Sequence, residues 1–96
     1  MYFSRVIIGK VDPNKHEEAF VLFTDIIIPA AQEQEGFRGA NLFSKPRTGQ
    51  FIATTIWKTE ADMISSDKSG YLKGQLDKVA NLFTEQPLID HYNVLY

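Results

Sequence analysis

Apolar and polar positions change their period along the chain, and the changes mark the elements. From Tyr2 to Val11 (Y-F-S-R-V-I-I-G-K-V) the residues are mostly β-branched or aromatic, the composition of a strand. Val6 and Ile8 fall on one face and Phe3, Ile7 and Val11 on the other, so both faces are partly apolar, as in a strand covered on both sides. The period then lengthens. Ala19, Phe20, Phe23, Ile26 and Ile27 recur at three- and four-residue spacing, which predicts an amphipathic helix. Asp12 can cap it and Pro13 suits its first position. Pro29 predicts an end or a kink near Ile27–Ile28, with a further turn through Ala30–Glu33 and a stop at Gly36.

Period two returns from Phe37 to Lys45. Strict alternation puts Phe37, Gly39, Asn41 and Phe43 on one face and Arg38, Ala40, Leu42 and Ser44 on the other. Pro46-Arg47-Thr48-Gly49 is a turn signal, and Gln50 to Lys58 is a third strand that closes at Trp57, so these two strands form a hairpin. Thr59-Glu60-Ala61-Asp62 pairs a hydroxyl with a carboxylate three residues on, a capping pattern that predicts a short helical segment through Ile64. Ser65 to Gly70 reads as a polar break. Leu72, Leu76, Val79, Ala80 and Phe83 then share one face of a second long helix, Pro87 ends it, and Leu88 to Tyr96 is the last strand. The order is β-α-β-β-α-β. It predicts a single domain, residues 1–96, of α+β class: a ferredoxin-like antiparallel sheet with two helices on one face. The other face keeps apolar residues, Ile52 and Ile56 beside Val6 and Ile8. A bare apolar face calls for a partner, and a second copy about a two-fold axis is the economical one.

Composition narrows the function. Twelve acidic and ten basic residues give a net charge of −2 with no basic cluster, which disfavours nucleic acid as a partner. The chain has no Cys, hence no thiolate nucleophile and no Cys-based zinc site. His16 has no second His at ligand spacing, so no metal site is expected. No stretch approaches the ~20 apolar residues of a membrane span, and no signal-peptide pattern follows Met1; the expectation is a cytoplasmic protein. Seven Phe, four Tyr and one Trp can fill a core, a pocket or an interface. Phosphate loops, G-x-S-x-G elements and paired carboxylates are missing, and Thr48 to Ile52 lacks the basic-aromatic pattern of an RNA-recognition motif.

Gly36-Phe37-Arg38-Gly39, followed at fixed distance by Phe51 through Trp57-Lys58-Thr59-Glu60-Ala61-Asp62, resembles the antibiotic biosynthesis monooxygenase (ABM) family over nearly the whole chain. The resemblance implies a dimeric α+β barrel of two ferredoxin-like protomers. It implies a ligand pocket between sheet and helices, and activities that include oxidation of polycyclic phenols or quinols without metal, flavin or other cofactor. Phenol-oxidising members carry an Asn four residues before the matching Trp and a Tyr six residues after it; here those places hold Ala53 and Met63. Haem-degrading members use an Asn on the first strand with a Trp and a His after the third, and Met63 to Gln75 supplies neither.

The candidate site follows from residue chemistry. Trp57 can stack on a planar substrate or close the core. His91, on the last strand, titrates near neutrality and is a candidate base, with an interface imidazole as the plainer role. Arg5, charged amid an apolar strand, is either ion-paired or a holder of a ligand oxygen. Asn41 can donate to a ligand or across the sheet; Phe20, Phe23 and Leu76 are candidate walls, and Tyr71 a candidate mouth. The expectation is a cofactor-independent, monooxygenase-like homodimer acting on a small planar aromatic or quinone-type molecule. The alternative is a non-catalytic binding or structural homodimer of the same fold.

Overall fold

The computed structural model describes the backbone of residues 1–96 and the side chains of all but Tyr71, so the candidate pocket mouth lies outside the described residues. Four strands, β1 (Tyr2–Lys10), β2 (Phe37–Lys45), β3 (Gln50–Trp57) and β4 (Leu88–Val94), form one sheet in the order β2-β3-β1-β4. Every neighbouring pair is antiparallel. The helices are α1 (His16–Leu22), α2 (Ile28–Gln32), α3 (Glu60–Lys68) and α4 (Tyr71–Val79). This is the expected ferredoxin-like arrangement.

Between α1 and α2 the chain does not break. Phe23–Ile27 forms a π-helical turn and the helix continues through Pro29 to Gln32. Of the end or kink expected near Ile27–Ile28, the structure shows a continuous helix with a widened turn just before that point, and the reason is local. A proline inside a helix removes one N–H and pushes back the preceding turn. A wider turn, in which the Ile28 N–H bonds the Phe23 carbonyl, absorbs that insult one turn earlier.

The hairpin lies where expected, with β3 ending at Trp57, one residue short of Lys58, and with one change of face. Phe37 pairs with Trp57 while Gly39 pairs with Ile56, so a bulge at Arg38 shifts the register. A bulge sends the residues on either side of it to opposite faces. Phe37 therefore meets Trp57 edge-on at 5.8 Å under the helices, and Gly39, Asn41 and Phe43 occupy the other face. Gly36 and Gly49 need their missing side chains. Both have φ near +80°, and a Cβ on Gly49 would strike the Val11 carbonyl oxygen while one on Gly36 would strike Asp62.

The core lies between sheet and helices: Ile7, Val11, Ala19, Phe23, Phe51, Val79 and Leu82 are buried together. Phe51 stacks on Phe83 at 5.5 Å and tilts against Phe23 at 5.4 Å. The expected polar break at 65–70 is partly helix: α3 runs to Lys68 and buries Ser66. A polar run reads as loop when its partner is out of view, and here the partner is Arg5, 61 residues away from Ser66.

Candidate functional site

Arg5 stands on the helix-facing side of β1, opposite Thr55 on β3 and His91 on β4. It is 2 % exposed. A buried guanidinium needs charge and acceptors around it, and the end of α3 supplies them. Its Nη2 donates to the Met63 carbonyl at 3.2 Å and also meets Ser66 Oγ and the Asp67 carboxylate. Ser66 in turn donates to the Met63 carbonyl at 2.7 Å. The guanidinium carbon lies over the Trp57 ring, 5.1 Å from its centre, within cation–π range.

The network continues outward. Asp67 Oδ2 accepts from His91 Nε2 at 2.8 Å. Since a carboxylate only accepts, the proton of the ring sits on Nε2 in this pair. His91 is 38 % exposed. Arg5, Asp67 and His91 thus make a line from the buried sheet to the rim.

Beside Arg5, between sheet and helices, is a cavity of about 40 Å³. Its walls are Ile7, Leu42 and Ala53 from the sheet and Phe23, Ile27, Ile28 and Ala31 from the first helical run, with Leu72 and Leu76 from α4. Arg5, Thr55 and Gln75 give it polar groups. The Thr55 hydroxyl accepts from Trp57 Nε1 at 2.9 Å, which leaves the hydroxyl's own proton to donate.

The sequence-predicted residues are thereby distributed. Arg5, Phe23, Asn41 and Leu76 border the cavity. Asn41 is exposed and pairs with Thr54, which directs its side chain to the opposite face of the sheet. Trp57 is 0 % exposed and lies outside the cavity wall; it touches the site through Arg5 and Thr55. Phe20 is 48 % exposed and belongs to a separate recess of about 70 Å³ with His16, Phe51 and Ser44, where His16 Nε2 lies 2.9 Å from Ser44 Oγ. His91 reaches the site only through Asp67. Asp67, Thr55 and Gln75 were not anticipated. Asp67 was hidden in a stretch read as a break, and Thr55 in a strand whose facing direction depends on pairing.

Among the described residues no cluster of His, Cys, Asp and Glu could hold a metal ion, and no helix is long and apolar enough to cross a membrane. No protein-family profile and no curated protein sequence matches the chain. Solved structures do. A candidate antibiotic biosynthesis monooxygenase from Nitrosomonas europaea superposes with a TM-score of 0.77 at 21 % identity, over 99 % of this chain and 91 % of that one. The Streptomyces coelicolor monooxygenase ActVA-Orf6, solved with the ligand nanaomycin D, gives 0.79 at 17 % identity, over 96 % and 86 %. The fold is that of the antibiotic biosynthesis monooxygenases. A variant of SnoaB, a cofactor-independent oxygenase from Streptomyces nogalater, shares this ABM fold with a TM-score of 0.73 at 14 % identity, over 99 % and 94 %.

Proposed function

We propose that this ABM-fold protein binds a small planar aromatic or quinone-type molecule between its sheet and helices and promotes its oxidation by O₂ without a cofactor. The cavity carries the reading: an apolar pocket bordered by one buried cation, with Thr55 opposite it on the sheet. A hydroxyl-bearing ring would place its oxygen toward Arg5 and Thr55. The guanidinium is a permanent cation, so its part is charge: it favours the phenolate or enolate form, which is electron-rich enough to react with O₂. Thr55 would donate to the same oxygen. Apolar walls exclude water and strengthen both interactions. For an anthrone-type substrate, a ring CH₂ and O₂ become a ring carbonyl and water, so the balance needs no external reductant. The His91–Asp67 pair offers a route for the proton from the site's edge to solvent.

The assembly belongs to the same reading. The sheet face away from the helices carries Val6, Ile8, Ile52 and Ile56, half-buried, and Phe43, Leu88 and Tyr92, exposed. We assign it to a homodimer with face-to-face sheets; sedimentation at low micromolar concentration should give twice the chain mass, and monomer alone would sink it.

A second reading has its own support. Arg5 is already held by Met63, Ser66 and Asp67, and Trp57 is wholly buried. Both are what a non-catalytic binding or structural homodimer would show. O₂ uptake separates the two. A panel of quinols and anthrones under air should consume one O₂ per substrate, and Thr55→Val should slow the rate roughly 10-fold or more. Saturable quenching of Trp57 emission without O₂ uptake would establish the second reading instead.

A further inference from the structure

The cavity is too small for the molecule just proposed. Ligand pockets occupy roughly 300–1,000 Å³, and this one offers about 40 Å³. A groove of about 540 Å³ lies directly beyond it, lined by Asp67, Lys73, Asp77, Phe83, Glu85 and Pro87 among others. The two spaces share two residues, Leu72 and Leu76. Those side chains, both half-buried on α4, form the partition. We propose that the ligand site is the cavity and the groove joined, with the first half of α4 as the door. The ligand is an aromatic body seated in the cavity with a neutral or cationic polar arm in the groove. This rests on the preceding reading that the cavity binds an aromatic.

Three observations make α4 the moving wall. Gly70, its N-cap, has φ +86° and offers no side-chain cap. Gly74 sits in mid-helix with nothing within 4 Å of where a Cβ would stand, so packing does not require it, and glycine there weakens a helix. The ends on either side are fixed. Before α4, Asp67 is tied to Arg5 and His91. At its C-terminal end and just beyond, Val79 and Leu82 are buried, Phe83 stacks on Phe51, and the Thr84 N–H bonds the Lys10 carbonyl at 2.8 Å. The segment from Gly70 to Leu76 can therefore swing while its flanks stay.

The other conceivable way in, past Phe23 and Leu42 toward the recess at Phe20, adds only about 70 Å³ and would displace Phe23, which is held in the core against Phe51. The arm's chemistry follows from the groove. Lys73 is paired with Asp77 and Asp67 with Arg5, and Glu85 adds a further carboxylate, so an anionic arm is disfavoured.

Two measurements test this. The first needs no ligand: hydrogen exchange should show the amides of residues 72–76 opening faster than those of β1, and Gly74→Ala should slow them about fivefold. Equal protection of α4 and β1 would overturn the door. The second uses two dyes with one aromatic body, neutral N-phenyl-1-naphthylamine and anionic 8-anilinonaphthalene-1-sulfonate, read by emission in stopped flow. Gly74→Ala should slow the neutral dye about fivefold, Leu76→Ala should speed it, and the sulfonate should bind at least threefold more weakly. Arg47→Ala, exposed in the turn between β2 and β3, should change nothing. If the neutral dye binds but both α4 variants leave its rate unchanged, the door is wrong and the pocket reading survives. No emission from either dye in any variant would overturn both.

Discussion

Two consecutive helices of nine residues, α3 and α4, are built to opposite ends. α3 begins at Thr59, whose hydroxyl accepts from the Asp62 N–H at 3.0 Å, and carries Glu60 and Asp62 in its first turn, where carboxylates suit the helix dipole. It buries Met63 and Ser66 and ends in the ion pair that holds Arg5. α4 begins at an uncapped glycine and carries another in its middle; of its described side chains, only Val79 is buried. One helix is fastened to the sheet through a charge, and the other rests on it through Leu72 and Leu76. The contrast teaches that the site has a fixed polar end and a loosely held apolar one. That is the division a pocket needs when it must orient a ligand and also admit it.

The largest blow to this contrast should come from Asp67→Ala. It leaves the Arg5 guanidinium buried beside its remaining partners without a carboxylate, and removes the acceptor of His91. Breaking one side of a buried pair is expected to destabilise by about 3 kcal/mol, which urea unfolding would read directly. A loss under about 1 kcal/mol would mean that Met63, Ser66 and Trp57 suffice to hold the cation, and α3 would no longer count as the fastened helix.

Trp57→Phe comes next, at about 2 kcal/mol. It removes the indole N–H bond to Thr55 and leaves a gap in a fully buried place. It also frees the Thr55 hydroxyl to turn away, so any oxidation rate should fall by more than the stability loss explains. An unchanged rate in a folded variant would reduce Trp57 to packing alone.

Much of this was legible in the sequence. Period two located β2 to the residue and β3 to within one, since the strand ends at Trp57 and not Lys58, and Asp12-Pro13 marked where the first helical run starts. The failures share a cause: each depends on a contact between distant residues. Pro29 leaves end and kink undecided because the π-turn that absorbs it leaves no local mark. Phe37 reads as a companion of Asn41 because the bulge at Arg38 exists only against β3. Arg5 was recognisable as anomalous, since a charge between Phe3 and Ile7 must be answered. The answering residues, Ser66 and Asp67, looked like loop. Trp57 drew notice as a large aromatic, yet direction, not size, decides whether a side chain sees a pocket.

A smaller effect should follow Thr59→Ala. The cap satisfies one exposed N–H at the start of α3, and losing it should destabilise by about 1 kcal/mol. Because α3 carries the carboxylate that meets Arg5, fraying at its first turn should also raise hydrogen exchange at Met63 and Ser66. Without that spread, the cap and the ion pair would be independent fastenings.

The smallest effect should be Lys73→Ala. The Lys73–Asp77 pair on α4 is formally the same interaction as Arg5–Asp67, a cation beside a carboxylate, at 3.3 Å with the two side chains 82 % and 64 % exposed. Water screens it, and the order of charges is the weaker one, since an acidic residue followed four positions later by a basic one suits the helix better than the reverse. Alanine also favours helix slightly over lysine. The two tendencies should nearly cancel, leaving stability within about 0.5 kcal/mol of the parent at low salt and unchanged at high salt. A loss as large as that of the capping residue would show that α4 is fastened by its surface charges. The contrast between the two helices would then be one of means and not of degree.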